Sequence, residues 1–251
     1  MQYSFGVERQ VHKTMTLTAA YRGQVQIKSF RSRDANAPLP NAGYNRPNPS
    51  LSQVQNIESG GRNMLNALDV SFRGQAGRWF SGQAQYTFAK FMSNTNGISF
   101  FPQDQYNPNN EWGRANQDQR HRLLVLGTIY PDHWLSLGVG VTVFSATPYT
   151  ETSGVDLYRT GLGNARPVGI ARNSLEGGGT TGLDLVWDHD FRLSKSKGDN
   201  AKFFSIGLSG FNVLNHTNYT NYIGNITSSR FRQPTTALPG RQLQLSLGYR
   251  F

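Results

Sequence analysis

The chain has 251 residues, a formal net charge of +10, only 16% charged side chains and no cysteine. The lack of cysteine excludes disulfide scaffolds and thiolate metal sites, and no apolar run approaches the ~20 residues that a membrane-spanning helix needs. A mean hydropathy of -0.53 with so few charges is unusual for a soluble protein. It is typical of a membrane β-barrel, whose inner face is polar but mostly uncharged.

Stretches in which apolar and polar residues alternate recur along the whole chain. Such stretches begin at Met15, Leu68, Phe80, Leu135, Leu183 and Phe204, whereas residues 120–130 are more evenly apolar. A period of two places the apolar side chains on one face of a strand and the polar side chains on the other. Several stretches reach the ~9–11 residues of a tilted membrane strand, which is longer than the ~5–6 residues usual in a soluble sandwich.

The connections between these stretches alternate between short and long. Short connections lie near residues 11–14, 74–78, 131–133 and 195–202, and long ones span about 30–54, 93–118, 147–179 and 216–239. Short periplasmic turns and long extracellular loops are the topology of outer-membrane barrels, and long loops argue against a compact soluble domain. The prediction is an all-β fold: an antiparallel transmembrane β-barrel segment of about nine long strands.

The last strand carries the clearest alternation. Its apolar face holds Leu243, Leu245, Leu247, Tyr249 and the terminal Phe251. A strand that ends the chain on an aromatic residue resembles the C-terminal signal that the barrel-assembly machinery of bacterial outer membranes reads. An edge strand of a soluble β-sandwich is the alternative.

Aromatic residues near strand ends fit the two interfacial girdles of a membrane barrel. We select Trp79, Tyr130, Trp134 and Tyr149 as girdle residues. Trp79 and Trp134 both follow short turns, which places them at the periplasmic interface. Burial in a soluble core is the alternative for each.

The charged residues indicate no catalytic centre. Asp184, Asp188 and Asp190 share the lumen face of one strand with Arg192; they could hold a divalent cation, but pairing with lumen arginines such as Arg73 or Arg250 is more common. The five histidines lack zinc-site spacing, and Gly177–Gly179 lacks the lysine of a phosphate loop. We therefore expect no enzymatic activity, no cofactor and no bound metal.

The loops are rich in arginine, which suggests anionic partners. These residues are Arg31, Arg33, Arg46, Arg114, Arg120, Arg159, Arg166, Arg172, Arg230 and Arg232. Guanidinium groups pair with phosphate, so the loops could capture anionic substrates or contact lipopolysaccharide; solvated loop charge is the interpretation we favour. Nucleic-acid binding is not expected, because no basic run or aromatic-basic module accompanies the pI of about 10.0.

Four segments resemble one family. They are Gln83–Lys90, Asp118–Leu123, the stretch Phe211-Asn-Val-Leu-Asn-His-Thr-Asn-Tyr219 and Pro239–Leu245. Together they resemble the C-terminal barrel of TonB-dependent outer-membrane receptors, most closely the Oar-like subgroup with a carboxypeptidase-regulatory-like domain at its N-terminus. The resemblance implies a receptor of about 22 strands, closed by a plug, that takes up a bulky substrate with energy passed through TonB.

The chain departs from that pattern at its N-terminal side. Residues 1–9 do not resemble a secretory signal, and there is no plug or TonB-contacting segment. A single-chain bacterial barrel has an even strand number and starts in the periplasm, whereas nine strands would start on the extracellular side. We therefore expect residues 1–251 to be a partial barrel, the C-terminal part of a larger one, that meets TonB only through a plug outside this sequence. A self-standing porin or adhesin barrel and a soluble carbohydrate-binding module are the alternatives.

Overall fold

The structure is a computed structural model that describes residues 1–132, 135–194 and 202–250, and nearly all of its regular structure is β. No helix in these ranges is long and apolar enough to cross a membrane. Two short 3-10 turns span Pro40–Ala42 and Pro108–Glu111. The strands are β1 (Gln2–His12), β2 (Met15–Asp34), β3 (Gln55–Ala76), β4 (Phe80–Ser93), β5 (Gly113–Arg114), β6 (His121–Asp132), β7 (Leu135–Phe144), β8 (Pro148–Tyr149), β9 (Leu175–Glu176), β10 (Thr180–Arg192), β11 (Phe203–Phe211) and β12 (Gln242–Arg250).

The nine long strands form one antiparallel sheet in the order β1-β2-β3-β4-β6-β7-β10-β11-β12, here called the main sheet. Every long strand therefore pairs with its neighbours in the chain. The two-residue strand β5 extends the sheet beside β4, and β8 and β9 form a separate two-stranded sheet. The predicted all-β antiparallel fold with nine long strands is confirmed.

Short and long connections leave opposite ends of the main sheet. Two residues join β1 to β2 and three join β3 to β4, and Gly77 adopts a φ of 65° in the second of these turns. The other two short connections include residues 133–134 and 195–201, which lie outside the described residues. The long connections are named L1 (35–54), L2 (94–120), L3 (145–179) and L4 (212–241).

Strands β2 and β3 are longer than the sequence pattern indicates, with 20 and 22 residues. L1 was expected to begin near Phe30, but β2 continues to Asp34 and pairs there with Gln55. β2 has about twice the ~9–11 residues that cross a bilayer, and at about 3.3 Å per residue it is roughly 66 Å long. A bulge at Lys28, which has a φ of 60°, shifts the register of this extension.

The register keeps apolar side chains on one face across the sheet. One row of partners runs from Ala19 through Val70, Tyr86 and Leu123 to Val143. This apolar face is largely exposed, and the buried apolar residues of the described chain are only four alanines, Ala37, Ala67, Ala115 and Ala165. A soluble sandwich would bury such a face in a core. The structure therefore argues against the soluble alternative.

Candidate functional site

Loops L1, L2 and L3 pack together into one polar layer, here called the loop layer. The largest fully buried side chains of the described chain are Arg172, Gln105, Glu111, Asp34, Asp118, Ser32 and Ser93. All of them lie in these loops or in the last three residues of β2 and β4. Because buried polar groups must be hydrogen-bonded, the layer is held by specific contacts between loops rather than by apolar packing.

Asp34 fixes L1 where it leaves β2. Its Oδ1 accepts hydrogen bonds from the backbone N–H groups of Asn36 and Val54, both at 2.9 Å. Its Oδ2 lies 2.9 Å from Nη1 of Arg46. The Asp34 N–H also donates to Oε1 of Gln105 in L2 at 2.7 Å. The buried Asp34 carboxylate thus closes L1, and the Asp34 backbone N–H joins L1 to L2.

Glu111 and Arg166 join L2 to L3. Arg166 Nη1 donates to Glu111 Oε2 at 2.7 Å, and the two side chains are only 3% and 1% exposed. The other Glu111 oxygen accepts from the Gln103 N–H at 2.9 Å, and the Arg166 N–H donates to Oε1 of Gln103 at 2.8 Å. A buried ion pair is stable only when its remaining donors and acceptors are also satisfied, and this pair meets that condition.

Asp118 ties the end of L2 to the main sheet. Its Oδ1 accepts from the Phe91 N–H at 2.6 Å, and its Oδ2 lies 2.6 Å from Arg114 Nε and 3.0 Å from Arg120 Nε. Arg114 also pairs with Glu176 in L3. Burial disfavours the charged form of Arg114, but its hydrogen bonds to Asp118 and Glu176 outweigh burial and raise its pKa.

Arg172 is buried in the loop layer without a carboxylate partner. Its Nη2 donates to the Ser93 carbonyl at 2.5 Å, and its guanidinium lies 5.2 Å from the Phe100 ring centroid. Its Nε and Nη1 atoms have no hydrogen-bond partner in the described structure. Burial lowers the pKa of Arg172 to about 10, although the nearby Glu111 carboxylate opposes this shift.

The favoured interpretation of the loop arginines as solvated charge is wrong for seven of the ten. Six are paired with carboxylates, namely Arg31, Arg33, Arg46, Arg114, Arg120 and Arg166, and Arg172 is buried. Arg159, Arg230 and Arg232 are exposed. Sequence reasoning missed the Glu111–Arg166 pair because its partners lie 55 residues apart in the chain. The pairs of Arg114 and Arg120 with Asp118 are local, but no pattern in the sequence marks Asp118 as buried.

A cavity of about 290 Å3 opens on the polar face, where β2, β3 and β4 meet the loop layer. It is lined by Gln26, Ser29, Phe30, Asn63, Phe91, Ser93, Thr95, Asn96, Gly97, Ala115 and Gln117. Ser93 and Thr95 are buried at its rim, where the Thr95 N–H donates to Ser93 Oγ at 3.0 Å. The cavity is therefore built jointly by the sheet and by the first turn of L2.

Four of the five predicted C-terminal signal residues share one exposed face of β12. Leu243, Leu245, Leu247 and Tyr249 all belong to the apolar face, opposite Gly210, Leu208, Ile206 and Phe204 of β11. Phe251 lies outside the described residues. The alternation within β12 thus continues the face shared by all nine strands.

Three of the four predicted girdle residues are described by the structure, and they lie in two separate places. Trp79 and Tyr130 are neighbours at the short-turn end, where the Tyr130 N–H donates to the Trp79 carbonyl at 2.8 Å. Tyr149 lies in β8 in the loops and stacks on Tyr222 of L4, with ring centroids 5.4 Å apart. Burial raises the pKa of Tyr149. Trp134 lies outside the described residues.

A second aromatic group, which sequence reasoning did not assemble, lies at the loop end of the apolar face. The hydroxyl groups of Tyr3 and Tyr21 both donate to Oδ1 of Asn66, at 3.3 and 2.8 Å. The Tyr3 ring covers Gly23, where a Cβ atom would overlap it. The register of three strands brings these residues together, which a single-strand pattern does not reveal.

The predicted charge cluster of Asp184, Asp188, Asp190 and Arg192 lies along the polar face of β10. Asp184 accepts from the Asn212 N–H at 2.8 Å, and Asp190 lies 3.8 Å from Arg250 and accepts from Ser205 Oγ at 2.5 Å. Arg192 Nε donates to the Ser194 carbonyl at 3.0 Å.

These carboxylates do not converge on a common point. Across residues 1–132, 135–194 and 202–250, no group of three or more histidines and carboxylates is arranged to hold a metal ion. Asp184 contacts a backbone group of L4, and Asp190 contacts side chains of β11 and β12.

A family model described as "Outer membrane beta barrel domain" matches residues 1–131. No curated protein matches the chain in sequence. The solved structure of the outer membrane transporter YddB from Escherichia coli resembles the chain with a TM-score of 0.62 and 11% identity. The ferric-catecholate import receptor Fiu from K12 E. coli, in its closed form, does so with a TM-score of 0.53 and 13% identity.

The chain spans about a third of the length of these solved proteins. The alignment with YddB covers 98% of this chain and 32% of that one, and the alignment with Fiu covers 99% and 27%. At such low identity the likeness shows a shared fold. The nine-strand sheet with its loops at one end therefore corresponds in fold to part of the barrel wall of these two proteins.

Proposed function

Because the chain belongs to the outer membrane beta barrel domain family, and so lies in the outer membrane, we propose that it forms part of the barrel of a TonB-dependent receptor of the Oar-like subgroup. In this proposal the whole protein takes up a bulky substrate and performs no enzymatic chemistry. The observation that carries the proposal is the main sheet, which has one continuous apolar face, a polar face opposite it and all four long loops at one end. Such a wall separates lipid from a polar lumen.

The edges of the main sheet support a larger barrel. β1 pairs only with β2, and β12 pairs only with β11, within the described chain. A bilayer provides no hydrogen bonds to an open strand edge, so membrane sheets close on themselves. In this proposal residues 1–251 are the C-terminal part of the wall, and strands outside this sequence pair with β1 and β12.

The dependence on TonB belongs to a plug domain outside this sequence. The long strands β2 and β3 raise the loop layer well beyond the membrane, which suits capture of a bulky substrate from the outside. The buried ion pairs keep L1, L2 and L3 in a fixed arrangement. A preorganised layer of this kind loses less conformational entropy when it binds a ligand.

Cell fractionation tests the partial-barrel proposal directly. An antibody against residues 216–239 is expected to detect, in the outer-membrane fraction of source cells, a band far larger than the 28.0 kDa of this chain. A band at 28.0 kDa in that fraction would favour the alternative of a self-standing porin or adhesin barrel. A soluble band would contradict both proposals.

Growth on limiting nutrients tests the dependence on TonB. Deletion of the gene for this chain and deletion of the gene for TonB are expected to abolish growth on the same limiting nutrient. A nutrient whose uptake requires this protein but not TonB would contradict the proposal. A double deletion provides the control, because it should be no more defective on that nutrient than either single deletion.

Lipopolysaccharide is a proposed partner of the apolar face at its loop end. Arg62 and Lys90 are exposed there, on the face that also holds Leu68 and Phe88. Their position suits contact with lipid phosphates, since guanidinium and ammonium groups bind phosphate oxygens. Replacing both residues with Gln should reduce the lipopolysaccharide that copurifies with the protein, whereas Arg230→Gln in L4 should not.

The barrel-assembly machinery is the second proposed partner, through β12 and the residue that follows it, Phe251. The apolar face of β12 is exposed at Leu243, Leu245, Leu247 and Tyr249. Replacement of Phe251 with Ser in the full-length protein is expected to lower its amount in the outer membrane. An unchanged amount would contradict the role of this residue as an assembly signal.

A further inference from the structure

The cavity below L2 has an uncharged lining. Its polar residues are amides and hydroxyls, chiefly Gln26, Asn63, Thr95, Asn96 and Gln117. Its volume of about 290 Å3 is at the small end of the range for ligand sites. It can therefore enclose one ring-sized part of a larger molecule, while the rest extends into the lumen.

The hydrogen bonds around the cavity leave several amide groups free to bind a ligand. Asn63 is fully used, since its Nδ2 donates to Gln26 Oε1 and Ser29 Oγ and its Oδ1 accepts from Ser93 Oγ. The Gln26 amino group remains available. The side-chain amides of Asn96 and Gln117 make no hydrogen bond within the described part of the chain. A free amide offers donors and an acceptor side by side.

No charged side chain lines the cavity. Nearby, Arg31 is paired with Glu58, and Arg114 and Arg120 are both paired with Asp118. Arg172, which has no carboxylate partner, donates to the backbone carbonyl of the lining residue Ser93, but its own side chain is buried and does not line the cavity. A charged ligand would therefore meet no counter-charge in the lining, and desolvation would penalise it. The ligand that fits is a neutral one.

The backbone around the cavity favours a sugar over a peptide. At the cavity, β3 and β4 have partners on both sides, whereas β2 beyond Val25 pairs only with β3. A peptide that binds by adding a strand would lie along that outer edge of β2 and not on the polar face where the cavity opens. Hydroxyl groups both donate and accept, which matches the free amides, and the half-buried Phe91 ring can pack against the C–H face of a sugar.

We propose that this cavity binds a sugar unit of a neutral glycan, with Gln26, Asn96 and Gln117 as its hydrogen-bonding residues. The inference rests on the proposed uptake function, because it places the glycan in the lumen as the substrate of that uptake. Phe30, which is exposed beside the cavity, extends the apolar surface toward the next sugar unit.

The test uses the full-length receptor, purified from outer membranes in detergent. Isothermal titration would measure binding of three neutral probes (maltohexaose, xylohexaose and laminarihexaose), one charged probe (hexagalacturonate) and one neutral hexapeptide. At least one neutral oligosaccharide is expected to bind. The double variant Gln26→Ala and Gln117→Ala should weaken its Kd about tenfold, the loss of two hydrogen bonds of ordinary strength.

Gln83→Ala is the matched control, because Gln83 lies on the polar face of β4 nearer its short-turn end. It should leave the Kd unchanged, and the heat-modifiable mobility of the barrel would verify that all variants are folded. Asn96→Ala, a change at an exposed loop residue, provides a second test. The proposal is overturned if no neutral oligosaccharide binds, if only the charged probe or the peptide binds, or if the variants bind normally.

The glycan site and the proposed function can be rejected independently, because the binding assay tests the first and the TonB growth assay tests the second. Uptake that requires TonB, together with binding of the peptide alone, would reject the glycan site and keep the proposed function. Binding of a neutral oligosaccharide that is lost in the double variant, together with uptake independent of TonB, would reject the proposed function and keep the site.

Discussion

The main sheet and the loop layer differ in which side chains they expose and which they bury. The sheet leaves large side chains such as Leu245 and Phe88 exposed on one face and has almost no apolar core. The loop layer buries Glu111, Arg166 and Asp34 among partners. In the outer membrane, lipid covers the apolar face, so the sheet needs no core of its own. The loops, which are surrounded by water, depend on paired polar groups instead.

This difference sets which kind of substitution each region tolerates. In the loop layer, removal of one charged group leaves its buried partner without a counter-charge, which is costly in a low-dielectric interior. On the polar face of the sheet an ion pair such as Arg250 with Asp190 is 68% and 54% exposed, and water replaces a lost partner. The same substitution should therefore be severe in one region and mild in the other.

Glu111→Gln should cause the largest loss of stability. It keeps the size of the side chain but leaves the Arg166 guanidinium buried without a counter-charge, which costs about 3–5 kcal/mol of local stability. Hydrogen exchange of L2 and L3 amides would measure this loss while the strands remain protected. Asp190→Asn is the control and should cost about 0–1 kcal/mol. Equal costs for the two variants would refute the comparison.

Leu245→Arg should cause the next largest loss of stability. It places a charge on the lipid face of β12, where Leu245 is 65% exposed, and costs about 2–4 kcal/mol near the middle of the bilayer. Gln244→Arg, on the opposite face of the same strand, should cost little. Urea unfolding from lipid vesicles, followed by tryptophan fluorescence, would compare them. If both variants unfold at the same urea concentration, the assignment of faces is wrong.

The main sheet could be predicted from the sequence because its signal is local. Alternation within each strand and the contrast of short and long connections give the nine strands in their order. The extension of β2 to Asp34 was missed, because residues 30–34 carry three charges and do not alternate in hydrophobicity. Pairing with β3 and the Arg31–Glu58 ion pair hold this extension instead.

The loop layer could not be predicted in the same way. Asp34 and Gln105 are 71 residues apart, and their contact follows from the positions of whole strands. Tyr149 shows a related difficulty. An aromatic residue next to a strand end fits a membrane interface and a loop stack equally well, and the structure places its ring on Tyr222.

Gly23→Val tests whether the packing of Tyr3 on Gly23 stabilises the main sheet. Its side chain would displace the Tyr3 ring and break the hydrogen bond to Asn66, at a cost of about 1 kcal/mol. Tyr3→Phe, which removes only the hydroxyl group, should cost less in the same vesicle unfolding assay. Gly248→Ala is the control, because a Cβ there would meet Ser205 at an ordinary 3.4 Å. A harmless Gly23→Val would show that Tyr3 does not pack there.

Ionisation of Tyr149 at alkaline pH should cause the smallest loss of stability. Burial raises the pKa of Tyr149, so the folded protein favours its neutral form. This contribution to stability is fully present below about pH 10, the ordinary pKa of tyrosine, and is lost as the pH rises through the raised value. Burial also raises the pKa of Tyr158, so near-ultraviolet absorbance should show more than one late ionisation, and Tyr149→Phe should remove one of them. Replacing the exposed Tyr219 instead should leave that late ionisation in place.

The order of strands in the main sheet also determines how the chain can fold. β1 and β2 are separated by two residues, whereas β2 and β3 are separated by the twenty residues of L1. Closing the longer connection costs about 2 kcal/mol more entropy, since each doubling of loop length adds about 0.6 kcal/mol. The hairpins with short turns should therefore nucleate first, and the joining of one hairpin to the next should limit the rate at which the wall is built.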